Sequence, residues 1–227
     1  MKVRYKVKEI YPKLYCVEFK NAYDMCMTFF RVSEYYESNS NKIRGNANLD
    51  VFEAMKEYAK ANKDSFSYPT DYVGFNIPGH VFHYELDLLT GVNPYDLIMS
   101  EMVDKIYDLL DKKYNNSFLP FYIIGICNKA EAKRTLKHEI SHGLYYLNPS
   151  YKKEMDKLVS ELPPIKKKMM QDVLRRLHKY PDKVIRDEMI AYLSTGLIYG
   201  MKQIRFSKKT LKSFQKVFKD FFNEQTK

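Results

Sequence analysis

Two histidines four residues apart, with a glutamate directly after the first, constrain this chain more than any other feature in it: His138-Glu139-Ile140-Ser141-His142. On a helix, positions i and i+4 lie one above the other on a single face, so both imidazoles can reach one ion. An imidazole nitrogen bonds zinc at about 2.0–2.1 Å, within reach of both rings at that spacing. Glu139 is one residue along. It stands beside such an ion rather than on it, where a carboxylate can take a proton from water. The motif therefore demands a helix with an apolar, buried face behind the histidines.

The surrounding residues meet that demand. Residues 129–147 are rich in helix formers and contain no proline. Asn128 precedes them as an N-cap, and Glu131 follows it at the spacing of a capping box. Asn148-Pro149 closes the helix. Leu136, Ile140, Leu144 and Leu147 recur at helical spacing and supply the apolar face, which the two histidines flank.

His138 to His142 resembles the zinc helix of the zincin metallopeptidases, with Lys137 where that family usually has an uncharged residue. The resemblance implies zinc as cofactor, His138 and His142 as two of its ligands, and Glu139 as the general base for peptide-bond hydrolysis by a zinc-activated water. The metzincin continuation fails, because Tyr145 and Asn148 stand where a glycine and a third histidine would be. Gluzincins take a glutamate from a later helix instead. The string E-x-x-A-Y from Glu188 to Tyr192 is similar to that helix, which makes Glu188 the expected third ligand.

A helix over residues 182–198 brings Glu188 and Tyr192 to one face, with Ala191 allowing close approach. Asp187 is a rival ligand that points about 100° around the helix. His178 is another, within a basic stretch that repels a cation. Glu154 and Glu161 fall on a solvated helix. Two neutral histidines and one carboxylate leave an ion with one net positive charge, enough to draw the pKa of a bound water from about 15.7 toward 7. Tyr192 is the expected oxyanion donor, with Tyr145, Tyr146 and Tyr199 as alternatives. In a chain with 20 tyrosines, simple packing competes with each of these roles.

The rest of the chain reads as α+β. Residues 3–10 and 14–19 alternate like a hairpin around Tyr11-Pro12-Lys13. Residues 22–36 form a helix, a long strand being the alternative, and 38–48 are a loop. A helix over 49–61 opens at Asn48, and 67–79 read as an ordered surface loop. Residues 94–114 are a helix capped by Asn93. Residues 119–127 are a short buried strand, central or edge, leading into the motif helix. Further helices are expected over 152–161, 165–179, 182–198 and 207–223. This describes a single domain, 1–227, with an α/β part (1–148) ending in the motif helix and an all-helical part (149–227). The zincin resemblance implies an active cleft between the two. His80 and His83 lie in an aromatic stretch. On a strand they would point to opposite faces, which favours packing over a second metal.

Composition narrows the setting. The chain is 45% hydrophobic, ample for a core, yet no apolar run approaches the length of a membrane span. The N-terminal MKVRYKVKEI has no apolar h-region. The 3 cysteines are odd in number and lack C-x-x-C spacing, so they read as reduced, buried thiols, and a cytoplasmic location is expected. The net charge is +10, with much of the excess in Lys166–Lys168, Arg175-Arg176, Lys208-Lys209 and from Lys212 to Lys219. These read as solvated helix faces. A nucleic-acid surface is the sharper reading, without a recognised motif behind it.

Two classes of function follow. One is a gluzincin-like zinc metallopeptidase acting on a protein or peptide substrate. The other is a non-catalytic basic interaction module, with nucleic acid as partner, on the same fold. Glu139 favours the first, because a binding module has no need of a base there. A protease acting on DNA-bound proteins ranks third, since the third histidine typical of such enzymes is missing.

Overall fold

A computed structural model describes residues 2–38, 40–85, 91–127, 132–177 and 180–224. The fold class is α+β, with a small mixed sheet and, among the described residues, ten α-helices. The chain divides into two compact units, Met1–Thr135 and Leu136–Lys227. The division falls at the start of the motif helix and groups it with the later helices. The sequence pattern instead puts the division behind that helix, after residue 148.

The first unit is built on four strands. β1 (Tyr5–Tyr11) and β2 (Leu14–Phe19) form the expected antiparallel hairpin, turning at Pro12-Lys13 with Lys13 in the left-handed region at φ 64°. Helix α1 (Ala22–Glu37) follows, capped by the Asn21 side chain, which accepts from the Tyr23 N–H. Helix α2 (Val51–Ala61) is opened by Asp50 and Glu53 in a capping box, two residues later than the Asn48 start expected.

Residues 67–79 are not a loop. They form α3 (Tyr68–Asp71) and β3 (Gly74–Pro78). The prolines and glycine that read as breakers sit where they break nothing. Pro69 lies in the first turn of α3, where its missing N–H is not needed, and Pro78 ends an edge strand. Residues His80–Glu85 form helix α4, so the argument that applies on a strand does not hold here: residues three apart on a helix share a side. His80 packs edge-on to Tyr36 at 5.9 Å between ring centroids, as ordinary packing requires. The side chain of His83 lies outside the described residues.

Helix α5 (Pro94–Tyr114) has the expected Asn93 cap. Strand β4 (Tyr122–Cys127) is central: it pairs parallel to β2 and antiparallel to β3, in the order β1-β2-β4-β3. All six of its residues are buried, which explains its unbroken apolarity. A Cβ at Gly125 would meet the Phe29 ring of α1 at 2.5 Å, so the helix lies directly on the sheet there. Cys16, Cys26 and Cys127 are free and buried. Burial pushes the Cys16 thiol up to about 11, far from the thiolate that reactivity requires.

The second unit holds α6 (Ala132–Leu147), which begins in the last residues of the first, then α7 (Pro149–Ser160), α8 (Pro164–Leu177), α9 (Ile185–Thr195), a 3-10 turn (Lys202–Ile204) and α10 (Lys208–Glu224). The Asn128–Glu131 cap expected for α6 lies outside the described residues. Helix α9 is shorter than the expected 182–198 and stops at Gly196, at φ 135°. It packs against α7, α8 and α10. Phe214 and Phe218 of α10 are buried, while Lys208, Lys209, Lys212, Lys216 and Lys219 are exposed, a solvated face as expected. Among the described residues, no helix is long and apolar enough to cross a membrane.

Candidate metal centre

Helix α6 presents His138 and His142 one turn apart, and α9 presents Glu188 to both. Helix α7 ties these two helices together. Its Tyr151, fully buried, has its hydroxyl 2.9 Å from Ser141 of α6, and its Met155 accepts from the Ser194 hydroxyl of α9 at 4.0 Å. Next along α7, Asp156 accepts from the Tyr145 hydroxyl of α6 at 2.8 Å and pairs with Arg186 of α9 at 2.6 Å. Ser141 and Tyr145 flank His142 on α6, and Arg186 nearly adjoins Glu188. The third helix therefore holds the ligand-bearing helices in register. Leu144 and Ile140 bury the opposite face of α6, as its periodicity required. Lys137, the residue unlike the zincin pattern, is exposed and turned from the histidines.

The three ligand candidates converge. The Nε2 atoms of His138 and His142 are 3.2 Å apart. Glu188 turns one carboxylate oxygen to each, 3.4 Å from His138 Nε2 and 3.6 Å from His142 Nε2. A tetrahedral ion with bonds of about 2.0–2.1 Å separates its ligand atoms by about 3.3–3.4 Å. The two histidine–carboxylate spacings go to different Glu188 oxygens, so they describe donors gathered around one point rather than a formed tetrahedron. One ligand atom from each residue can be chosen with all three within 4.8 Å of one another. His142 and Glu188 are buried and His138 nearly so. Such a nitrogen–nitrogen–carboxylate set could hold a metal.

Other groups crowd the centre. Glu139 is buried, and its carboxylate acts on both His142 and Tyr180. Asp187 accepts from the Nδ1–H of His142 at 2.9 Å, on the side of the ring away from Nε2. That contact removes Asp187 as a rival ligand, because an ion at Nε2 lies beyond its reach across the ring. Burial alone would drive His142 toward its neutral form. The Asp187, Glu188 and Glu139 carboxylates outweigh burial and hold its pKa well above the ordinary histidine value. Three carboxylates gathered around two imidazoles form an environment that favours a cation.

The tyrosines sort themselves. The Tyr192 ring lies 4.4 Å from the His138 ring between centroids. Tyr180 hydrogen-bonds Tyr192, and burial, then Glu188, Tyr192 and Glu139, raise its pKa, so its hydroxyl keeps its proton. Tyr180 was missing from the sequence reading. It lies in the connection before α9 and carries no periodic signal among 20 tyrosines. Tyr145, an alternative donor, is committed to Asp156 and Lys152. Tyr146 and Tyr199 are exposed. His178 lies outside the described residues.

All the residues of this centre belong to the second unit. No protein-family model, curated protein or solved structure matches the chain.

Proposed function

We propose that this protein is a zinc-dependent metallopeptidase of zincin type, gluzincin-like in its ligand set. The observation that carries the reading is the convergence of His138, His142 and Glu188 on one point, with one ligand atom from each within 4.8 Å of the others and Glu139 beside them. Zinc suits two imidazoles and one carboxylate, with a fourth position left for water. Bound there, it would supply Lewis acidity, making a water more acidic and polarising a carbonyl.

The chain's own residues would do the rest. His138, His142 and Glu188 would hold the ion. Glu139 would accept the proton of the attacking water and return it to the leaving amine. Tyr192, accepting a hydrogen bond from Tyr180, would donate its own proton to the developing oxyanion. The choice of peptide bonds, and the zincin-like arrangement of the fold, rest on the likeness of the motif to that family.

Elemental analysis of the purified protein tests the metal, and cleavage of a peptide library tests the chemistry. We expect about one zinc per chain, lost in His138→Ala, His142→Ala and Glu188→Ala. Glu139→Gln should keep zinc and lose cleavage by roughly 100- to 10,000-fold. Full activity in Glu139→Gln would sink the mechanism. Zinc without hydrolysis in the wild-type protein would favour the basic interaction module.

A further inference from the structure

We propose that Asp187 is a positioning residue: it fixes the proton of His142 on Nδ1 and so commits Nε2 to the metal. The inference rests on the metal reading above and goes beyond it. Asp187 and Glu188 are consecutive on α9, about 100° apart around the helix, yet both reach His142. Glu188 faces Nε2 at 3.6 Å and Asp187 faces Nδ1 at 2.9 Å. One helix therefore grips the imidazole from both sides, supplying ligand and orienting partner in adjacent positions.

A neutral imidazole has one donor and one acceptor nitrogen, and which is which depends on the partner of the other. A carboxylate can only accept, so Asp187 requires the proton on Nδ1 and leaves the Nε2 lone pair free. His142 is buried, with 4% of its side chain exposed, so water does not compete for the choice. The second oxygen of Asp187, Oδ1, is buried without a hydrogen-bond partner among the described residues. The geometry that carries the proposal is the 2.9 Å contact of Asp187 Oδ2 with Nδ1. Partners of this kind orient a ligating histidine and raise its basicity.

Zinc affinity, measured by competition with a chromophoric chelator, tests the proposal. Asp187→Ala should weaken zinc by 10- to 100-fold. Asp187→Asn is the decisive variant, being the same size. Its amide can present N–H to Nδ1 and push the proton to Nε2, as the corresponding change does in the serine-protease triad. Affinity should therefore fall at least as far as in Asp187→Ala, with helix content unchanged by circular dichroism. A packing role would leave Asp187→Asn near wild type, and that result overturns the proposal. Nitrogen-15 NMR of the zinc-loaded wild-type protein should show the His142 proton on Nδ1; a proton on Nε2 also overturns it. Failure of the wild-type protein to bind zinc at all would overturn the metal reading and this proposal with it. A failure of Asp187 alone shows instead as tight binding in both wild type and variant.

Discussion

The two units use charge in opposite ways. Residues 1–135 contain 18 Lys and Arg against 18 Asp and Glu, and residues 136–227 contain 20 against 10, so the whole net charge of +10 belongs to the second unit. In the neutral unit, one buried pair of opposite charges closes on itself. Arg31 of α1 meets Asp96 of α5 at 2.8 Å and donates also to the Leu49 carbonyl at 2.7 Å, pinning both helices to the chain before α2. In the basic unit, three of the ten carboxylates gather around one pair of histidines. Buried polar groups that satisfy each other stabilise a fold. Buried polar groups that converge on a common point make a binding site.

Breaking the first use should have the largest effect on stability. Arg31→Met leaves Asp96 buried and unpaired, a loss of about 3–5 kcal/mol. We expect a lower denaturation midpoint with unchanged zinc content in the folded protein. A near-neutral result would mean that the pair is not a structural tie.

The second use should respond to pH instead. With metal absent, the raised pKa of His142 contributes stability that is fully present below its unfolded value of 6.5 and lost as pH rises through the folded value. Zinc must displace that proton, so its affinity should weaken about tenfold per unit of falling pH below the folded value. Thermal melts between about pH 6 and 8 should therefore slope in opposite directions with chelator and with zinc. Parallel slopes would dissociate His142 from the metal.

The smallest effect should come from the tie that joins α6 to α9. Tyr151→Phe removes the hydrogen bond to Ser141 and should cost about 1–2 kcal/mol. Its effect on zinc affinity should be a few-fold, below that of Asp187→Ala. A larger loss of zinc than of stability would make α7 a tuner of the site rather than a brace.

Much of the fold was legible because local chemistry decides it. The hairpin followed from alternation and a Pro-Lys turn, α5 from its Asn93 cap, and the buried strand from its apolar run. The errors came where the same residues carry two meanings. Pro69, Gly74 and Pro78 signal a loop in isolation, but a helix start and an edge strand can both accept them. The sheet order that makes β4 central rather than an edge depends on pairings between residues far apart in sequence, which no local pattern records.

For the site, sequence determined the pair on α6. Helical periodicity alone sets His138 over His142 with Glu139 beside them, because 3.6 residues per turn leaves no other arrangement on a helix. It also singled out Glu188, through likeness of motif rather than geometry. Tertiary structure decided the rest. It turned Asp187 from a rival ligand into the partner of Nδ1 and brought Tyr180 from a connecting segment to Tyr192. It also braced α6 and α9 through Tyr151 and Asp156 of α7. These relations hold between helices, and the distance between two helices is set by the side chains packed among them, not by the spacing of residues along either one.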